Sequence, residues 1–231
     1  MVFSGKTEAA VHRFDKKLDA FIANEEFNFP DLSFTLKTGR EHFEFRDFSV
    51  FDSEGLTKLE LVENRGPVRV NKDVETVFMF TGSGAQYLNM GADLYQNESV
   101  FKEELNKGFE LLKNITGIDF SEIVYPKQKN DFNINDNRFT QPLIYIFEYA
   151  LAQLLMSWGV SPDYMIGHST GEYVAAAISG VFSYEDGLKL VTTRAQLMSA
   201  APKGAMLTVG LTESETRKLL HEKLSLAAIN G

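Results

Sequence analysis

The sequence of 231 residues predicts an α/β protein in two parts, a small α+β module over residues 1–75 and a larger parallel-sheet module over 76–231. The composition changes between them. Charged residues number 26 in the first 75 positions and 29 in the following 156, and 10 of the 19 phenylalanines lie in the first part. Strand-like and helix-like segments alternate in the second part, which is typical of a parallel sheet with helices on both faces.

The first module is predicted to begin with a helix, because apolar residues recur at helical spacing from Val11 to Ile22. A second helix is expected over 32–39, since a proline–aspartate pair precedes it and a glycine closes it. Alternation of apolar and polar residues predicts a strand over 46–51. These elements suggest helices packed on a short sheet, with no sign of catalytic chemistry.

In the second module, Pro142 is placed at the start of an apolar helix, and the asparagine-rich stretch 127–138 is predicted to be a surface loop. The predicted strands are 77–80, 164–166, 204–210 and 226–229, and the predicted helices are 91–112, 142–158, 171–179, 184–199 and 213–223.

Charge and composition exclude several classes of function. The net charge of −9 argues against nucleic acid as a main partner, because phosphate binding needs clustered Lys and Arg. No window approaches the ~20 apolar residues of a membrane span, and the first residues lack the pattern of a secretory signal. The lack of cysteine excludes thiol nucleophiles and Cys-ligated metals, and no cluster of His, Asp and Glu has metal-ligand spacing. We expect a cytoplasmic protein with no metal, nucleic acid or membrane partner.

The strongest local signal is a Gly-x-Ser-x-Gly motif centred on Ser169. A predicted strand runs into the motif and a helix follows at once, which is the context that a nucleophile elbow requires. Gly167 and Gly171 would permit the tight turn and close packing of helix on strand. The alternative interpretation is a glycine–serine turn that only caps a helix.

Other candidate residues give weaker signals. The loop 81–86 also follows a strand, but Tyr87 replaces the third glycine of a dinucleotide fingerprint, so its free amides could instead form half of an oxyanion hole. Arg194 lies on an apolar helix and is either a snorkelling surface residue or a guanidinium that grips a carboxylate. His168 is expected to be a structural hydrogen-bonding residue. The remaining histidines, expected to be exposed, are His12, His42 and His221.

Several stretches carry a resemblance to a known family. They are, in order, Phe78–Gln86, Phe139–Pro142, Ser157–Asp163, Gly167–Tyr173 and Thr193–Met198. With these stretches the second module resembles the acyltransferase domain of polyketide synthases, a relative of malonyl-CoA:acyl-carrier-protein transacylase. The first module, through Leu36–Phe43, is similar to the linker domain that joins a ketosynthase to this acyltransferase.

The resemblance implies a small α+β linker domain followed by a parallel-sheet α/β-hydrolase-like acyltransferase core. Residues 204–231 would start a ferredoxin-like subdomain. It also implies a two-step acyl transfer: Ser169 would take a malonyl-type unit from its CoA thioester, and the phosphopantetheine thiol of an acyl carrier protein would then accept it. Both thioester partners are substrates, no cofactor is expected to be bound, and an adjacent ketosynthase domain is a further expected partner.

Site residues follow from the matching positions. The backbone amides of Ser83 and Thr170 match the oxyanion hole, and Arg194 matches the arginine that holds the free carboxylate of the extender unit. Gln141 matches a residue lining the same pocket, and we also place His168 among the substrate-binding residues. The resemblance leaves the choice between malonyl and methylmalonyl units open.

Two departures from the family pattern stand out. The first loop has Thr81-Gly82-Ser83-Gly84-Ala85-Gln86 where the family usually has Pro-Gly-Gln-Gly-Ser-Gln, which bears on the rigidity of the loop. Because the oxyanion hole uses a backbone amide, a serine at position 83 need not abolish it. The family's catalytic histidine lies well downstream of the serine, so we expect it beyond residue 231 and the chain to be a fragment. Two other functions remain open: an α/β-hydrolase-type esterase or thioesterase, and a catalytically incomplete scaffold fragment of a synthase.

Overall fold

The computed structural model describes residues 1–52, 58–59, 66–71, 74–128, 131–202 and 204–229. Two compact units divide the chain, one from Met1 to Val74 and the other from Glu75 onward. Parts of two sequence predictions, 129–130 in the surface loop and 230–231 at the end of the second module, lie outside the described residues.

The first unit packs two helices on a small antiparallel sheet. Its elements are β1 (Val2–Gly5), α1 (Glu8–Asn24), α2 (Phe29–Thr38), β2 (Phe45–Phe48) and β3 (Val68–Arg69). The sheet order is β1-β2-β3, so β2 is the central strand. Both predicted helices are confirmed, each starting about three residues early, and the predicted strand at 46–51 is present as β2. Strands β1 and β3 were not predicted from the sequence.

The hydrophobic core of this unit explains the helical spacing. Val11 and Leu18 of α1 are buried together with Phe3 of β1 and Leu36 of α2. Helix α1 starts at a capped turn, because the Thr7 side chain accepts a hydrogen bond from the amide of Ala10. The apolar face of α1 therefore points at the sheet, as its sequence pattern predicts.

The second unit contains most of the helices. Its elements are β4 (Val77–Phe80), α3 (Ala92–Asn97), α4 (Ser99–Thr116), α5 (Ser121–Val124), α6 (Asn137–Ser157), β5 (Tyr164–Gly167), α7 (Gly171–Ile178), α8 (Tyr184–Ala200) and α9 (Glu213–Leu219). Strands β4 and β5 pair in parallel, with Val77 opposite Tyr164 and Phe80 opposite Gly167. The predicted parallel sheet is confirmed, and its carboxyl ends bring the segments after residues 80 and 167 side by side.

The helices cover only one face of this sheet within the described residues. Phe78 and Phe80 are buried in the core, whereas Val77 and Met79 on the opposite face are half to three-quarters exposed. The expectation of helices on both faces is therefore wrong for the described part of the chain. The alternation of strands and helices along the chain still places a packed layer of helices behind the strands and leaves the carboxyl ends of the strands accessible.

Helix α6 is the centre of the core, with twelve buried residues. It begins at Asn137 and not at Pro142, so that prediction is wrong. The Asp136 side chain accepts the amide of Arg138 and starts the helix one turn before the proline. Pro142 removes only the hydrogen bond that its own amide would have given to the carbonyl of Arg138, and the helix continues through it.

Three other predictions differ from the structure. The helix expected over 91–112 is two helices that meet at Glu98. The strands expected at 204–210 and 226–229 are not formed among the described residues, and the helix between them, α9, ends at Leu219. Met206 and Leu207 are more than four-fifths exposed. Apolar sequence alone could not form these strands, because no described neighbour pairs with them.

No helix within the described ranges is long and apolar enough to cross a membrane. No group of three or more His, Asp or Glu residues in the same ranges could hold a metal ion.

We predict that Leu143→Ala lowers the free energy of unfolding by about 2–5 kcal/mol, because Leu143 is fully buried on α6 and its loss leaves a cavity. Leu151→Ala on the same helix is the matched control. That side chain is 41% exposed, so the expected loss is under about 1 kcal/mol. Urea unfolding followed by circular dichroism measures both, and equal losses would contradict the placement of α6 in the core.

Candidate active site

The turn between β5 and α7 holds Ser169 in a strained conformation. Its φ is +54°, in the left-handed region that costs a non-glycine residue about 1–3 kcal/mol. Such strain concentrates at functional sites, where the surrounding structure maintains it. The side chain is exposed, and its hydroxyl makes no hydrogen bond to a described residue. The fold thus presents this serine to incoming molecules.

Close packing at Gly171 keeps the turn tight. A Cβ atom at Gly171 would lie 2.4 Å from the carbonyl oxygen of Phe80, and one at Gly167 would lie 2.2 Å from the amide nitrogen of Glu172. Neither clash can be relieved by moving a flexible side chain, since both neighbours are backbone. The motif therefore needs glycine on both sides of Ser169, as the sequence analysis predicts, because α7 packs directly on the end of β4.

Two backbone amides are open next to the serine. The N–H groups of Ser83 and Thr170 donate to no other group within the described part of the chain. Thr170 comes directly before α7, so its amide lies at the positive end of that helix dipole. Its side chain is fully buried, and its hydroxyl has no hydrogen-bond partner among the described residues.

The loop that carries Ser83 packs against the serine turn. A Cβ atom at Gly82 would lie 3.1 Å from the Cβ of Ser169 and 2.9 Å from Nδ1 of His168. The amide of Gly84 donates to Oε1 of Gln86 at 2.8 Å, which closes the loop on itself. The strand ends therefore bring the residues after β4 into contact with those after β5.

Thr81, one of the residues at which this loop departs from the family pattern, connects the start of the loop to α6. Its amide and its hydroxyl both donate to Oε1 of Glu148, the hydroxyl at 2.7 Å. Glu148 is part-buried, and its Oε2 atom is sealed from solvent with no partner among the described residues. Burial raises the pKa of Glu148 above its ordinary value, and the two hydrogen bonds from Thr81 oppose that rise.

Arg194 forms the polar part of a second cluster, on α8. Its Nη1 donates to Oε1 of Gln141 on α6, and its guanidinium lies 5.8 Å from the ring centroid of Tyr173 on α7. Gln141 is buried, and its amide nitrogen contacts Sδ of Met198 at 3.4 Å. Within the described ranges Arg194 forms no ion pair. A part-buried cation held by a neutral amide retains its capacity to bind an anion.

The structure brings most of the predicted site residues together in two groups, one around Ser169 and one around Arg194. Tyr173 links them, because it lies in the first turn of the helix that follows Ser169 and contacts the guanidinium. His168 contributes backbone hydrogen bonds: its amide donates to Phe80 and its carbonyl accepts from Gly171. No hydrogen bond of its exposed ring falls within the described residues.

Two residues of this region were not predicted. Glu148 and Tyr173 contact the site only through the packing of α6 and α7, which the sequence does not reveal. One signal was present: Glu148 is the only acidic residue within α6, a helix that is otherwise apolar over most of its length. An isolated acid in such a helix is costly to bury and indicates a specific partner.

The fold and the site define an α/β enzyme of the acyltransferase class. A sequence profile described as "Acyl transferase domain" matches residues 77–231. A second, described as "CurL-like, PKS C-terminal", matches residues 1–57. The chain belongs to the acyl transferase domain family, in the form found in polyketide synthases.

Similar proteins agree with this assignment. The polyketide synthase GfsA of Streptomyces halstedii is 36% identical over an alignment covering 100% of this chain and 3% of that protein. The mycoketide-CoA synthase of Mycobacterium tuberculosis is 35% identical, over 100% of this chain and 6% of that protein. The chain thus spans a small fraction of the length of these curated relatives.

Solved structures show the same fold. The acyl transferase domain of ZmaA has a TM-score of 0.81 at 37% identity, covering 95% of this chain and 52% of that one. The malonyl CoA-acyl carrier protein transacylase of Clostridium perfringens has a TM-score of 0.52 at 30% identity, covering 63% of this chain and 46% of that one.

We predict a pH-dependent effect of Glu148→Gln on stability. Because burial raises the folded-state pKa, the stabilising contribution of the carboxyl is fully present below its ordinary pKa of 4.5 and is lost as the pH rises through the raised value. Glutamine does not titrate, so the wild type should lose stability relative to the variant across that window. Urea unfolding at closely spaced pH values measures the difference, and a difference independent of pH would contradict the burial of the carboxyl.

Proposed function

We propose that the protein transfers a malonyl-type acyl unit from CoA, through an ester on Ser169, to the phosphopantetheine thiol of an acyl carrier protein. The observation that carries the proposal is an arginine with no acidic partner among the described residues, which contacts the first turn of the helix that follows a strained, exposed serine. The serine suits covalent acyl transfer, and the arginine suits an acyl group that ends in a carboxylate.

The first step forms the acyl-enzyme. The Oγ atom of Ser169 attacks the thioester carbonyl, the C–O bond of the ester forms, and the C–S bond breaks. CoA leaves as the thiol and carries the proton that the serine has lost. In the second step the carrier thiol attacks the ester in the same way and regenerates the serine. No oxidant or cofactor is needed for either step.

The two open amides support this chemistry. A negative charge develops on the carbonyl oxygen as the serine attacks, and preorganised N–H donors stabilise it. We propose that the amides of Ser83 and Thr170 are those donors and that the turn at Ser169 is a nucleophile elbow. The dipole of α7 adds to the effect, because its positive end lies behind the serine.

The cluster on α8 supports a carboxylate-bearing substrate. Arginine has five N–H donors, and Gln141 accepts from Nη1 of Arg194, which leaves the Nε and Nη2 edge without a partner among the described residues. That edge has the geometry for two parallel hydrogen bonds to one carboxylate. Gln141 and Tyr173 hold the guanidinium plane in place, and we propose that this cluster binds the free carboxylate of the extender unit. His168 is proposed as a further residue near the bound acyl group.

The first unit suggests where the reaction takes place. Its match to a polyketide synthase profile supports a linker next to a ketosynthase domain. We propose that the enzyme loads extender units for polyketide or fatty-acid synthesis in the cytoplasm, with the carrier protein and the ketosynthase as its partners.

We predict that Ser169→Ala abolishes labelling by radiolabelled malonyl-CoA, because without the hydroxyl no acyl ester can form. The fold should persist, since alanine tolerates the φ of +54° no worse than serine does. Ser179→Ala is the matched control, an exposed serine just after α7 whose hydroxyl only bonds the carbonyl of Ala176. Mass spectrometry of the tryptic peptide locates the label.

Three outcomes of this experiment would contradict the proposal. Undiminished labelling of Ser169→Ala would mean that another group carries the acyl unit. Release of free malonate, with no transfer to an added carrier protein, would instead indicate a thioesterase. Complete absence of labelling in the wild type would favour a scaffold role.

We predict that Arg194→Ala lowers malonyl transfer by about 30-fold or more, because truncating one partner of a desolvated charge pair costs roughly 2–5 kcal/mol. The acetyl group of acetyl-CoA has no carboxylate and therefore makes no such contact with Arg194. The use of acetyl-CoA relative to malonyl-CoA should therefore rise in the variant. Arg194→Lys should recover only part of the malonyl rate, since the ammonium lacks the planar fork. Competition between the two donors measures the ratio, and an equal loss for both would make Arg194 a purely structural residue.

A further inference from the structure

We propose that Glu148 is a positioning residue for acyl transfer, which sets the location of the oxyanion amide of Ser83 by holding Thr81. This inference rests on the proposed function, because it assigns Glu148 a part in the same reaction. It adds a residue on α6 that touches neither the acyl group nor Ser169.

The hydrogen bonds of Thr81 to Glu148 carry the proposal. One carboxylate oxygen accepts from both the amide and the hydroxyl of Thr81. The amide bond orients the backbone at the point where β4 ends, and the hydroxyl bond selects a side-chain rotamer. Two donors from one residue on one acceptor leave the start of the loop little freedom to move.

The distance from this contact to the reacting atoms is short. Only Gly82 separates Thr81 from Ser83, and Gly82 itself packs against Ser169. Any shift of Thr81 therefore moves the amide of Ser83 relative to the serine. An oxyanion donor must lie at hydrogen-bond distance from the developing charge, and a displacement of 1 Å is enough to lose most of its effect.

The free-energy cost of burying the Glu148 carboxyl group argues for a functional role. A carboxyl whose second oxygen is buried without a described partner destabilises the fold, and an apolar residue would pack better in this helix. Burial also raises the pKa of the carboxyl, as expected for a group with few compensating contacts. Residues that violate local packing rules in this way concentrate at functional sites.

A second carboxylate holds the opposite end of β4 and offers a matched control. Oδ2 of Asp163 accepts the amide of Thr76 at 2.7 Å, just before the strand begins. The two contacts are of the same type, a carboxylate on a strand-terminal threonine amide. They differ in that only Glu148 lies at the end where the loop to Ser83 starts. A general role in holding the strand would make the two residues equivalent.

The test compares Glu148→Ala, Glu148→Gln, Thr81→Val and Asp163→Ala with the wild type. Single-turnover reactions at several malonyl-CoA concentrations give two separate quantities, the acylation rate constant and the malonyl-CoA concentration at half-saturation. Hydrogen exchange of the amides at 81–84 reports the hold on the loop without any chemistry. Melting temperatures show how far each variant is destabilised.

We expect Glu148→Ala to lower the acylation rate constant at least tenfold with less than a threefold change in half-saturating malonyl-CoA. Glu148→Gln keeps the acceptor oxygen and should stay within about fivefold of wild type. Thr81→Val, which keeps the amide but loses the hydroxyl, should fall between them. Asp163→Ala should leave both the rate constant and the exchange at 81–84 within about twofold of wild type.

Several outcomes would overturn the inference. One is an unchanged rate constant in Glu148→Ala or, should that variant not fold, in Thr81→Val. Another is an acylation rate constant that falls in proportion to the melting temperature, to the same degree in the Glu148 and Asp163 variants. A wild type that is never acylated would refute the proposed function. The exchange measurement then still decides whether Glu148 holds the loop, since slow exchange at 81–84 that persists in Glu148→Ala would refute that contact.

Discussion

The burial of α6 is the constraint on which both clusters of the site depend. Gln141 and Glu148 lie seven residues apart on this helix, two turns along one face, or about 10 Å of rise. One holds the guanidinium of Arg194 and the other holds the loop after β4. Because the helix is packed on nearly every side, its backbone geometry fixes the separation of Gln141 and Glu148, the two points at which the Arg194 cluster and the loop after β4 are held.

The strain at Ser169 is maintained by contacts on both strands. The parallel pairing of β4 with β5 continues into the turn through the hydrogen bond from the His168 amide to Phe80. Gly171 then packs against the same carbonyl group. A positive φ at serine persists because relaxing it would break this backbone packing, so the energy that holds the turn comes from the strand pair and not from the turn itself.

The sequence predicted the features that local chemistry determines. The strand at 77–80, the serine turn and the helix after it follow from residues that are adjacent in the chain. The prediction for the start of α6 was wrong because it rested on Pro142, whereas the helix is capped at Asp136. The strands at 204–210 and 226–229 were predicted from apolar content, which does not show whether a pairing partner is present. Glu148 was not predicted, because its contact with Thr81 spans 67 residues of sequence. Hydrogen bonds between distant elements depend on packing that no local pattern records.

The uncovered face of the two-stranded sheet affects how the protein behaves in solution. Within the described ranges, Met79 and Ile166 are 77% and 58% exposed on adjacent strands, and Val77 and Tyr164 extend the same surface. A net charge of −9 keeps molecules apart at long range, but salt screens that repulsion within about 10 Å. At physiological ionic strength the repulsion from net charge therefore no longer opposes contacts at this apolar surface, so its attraction is not balanced by charge.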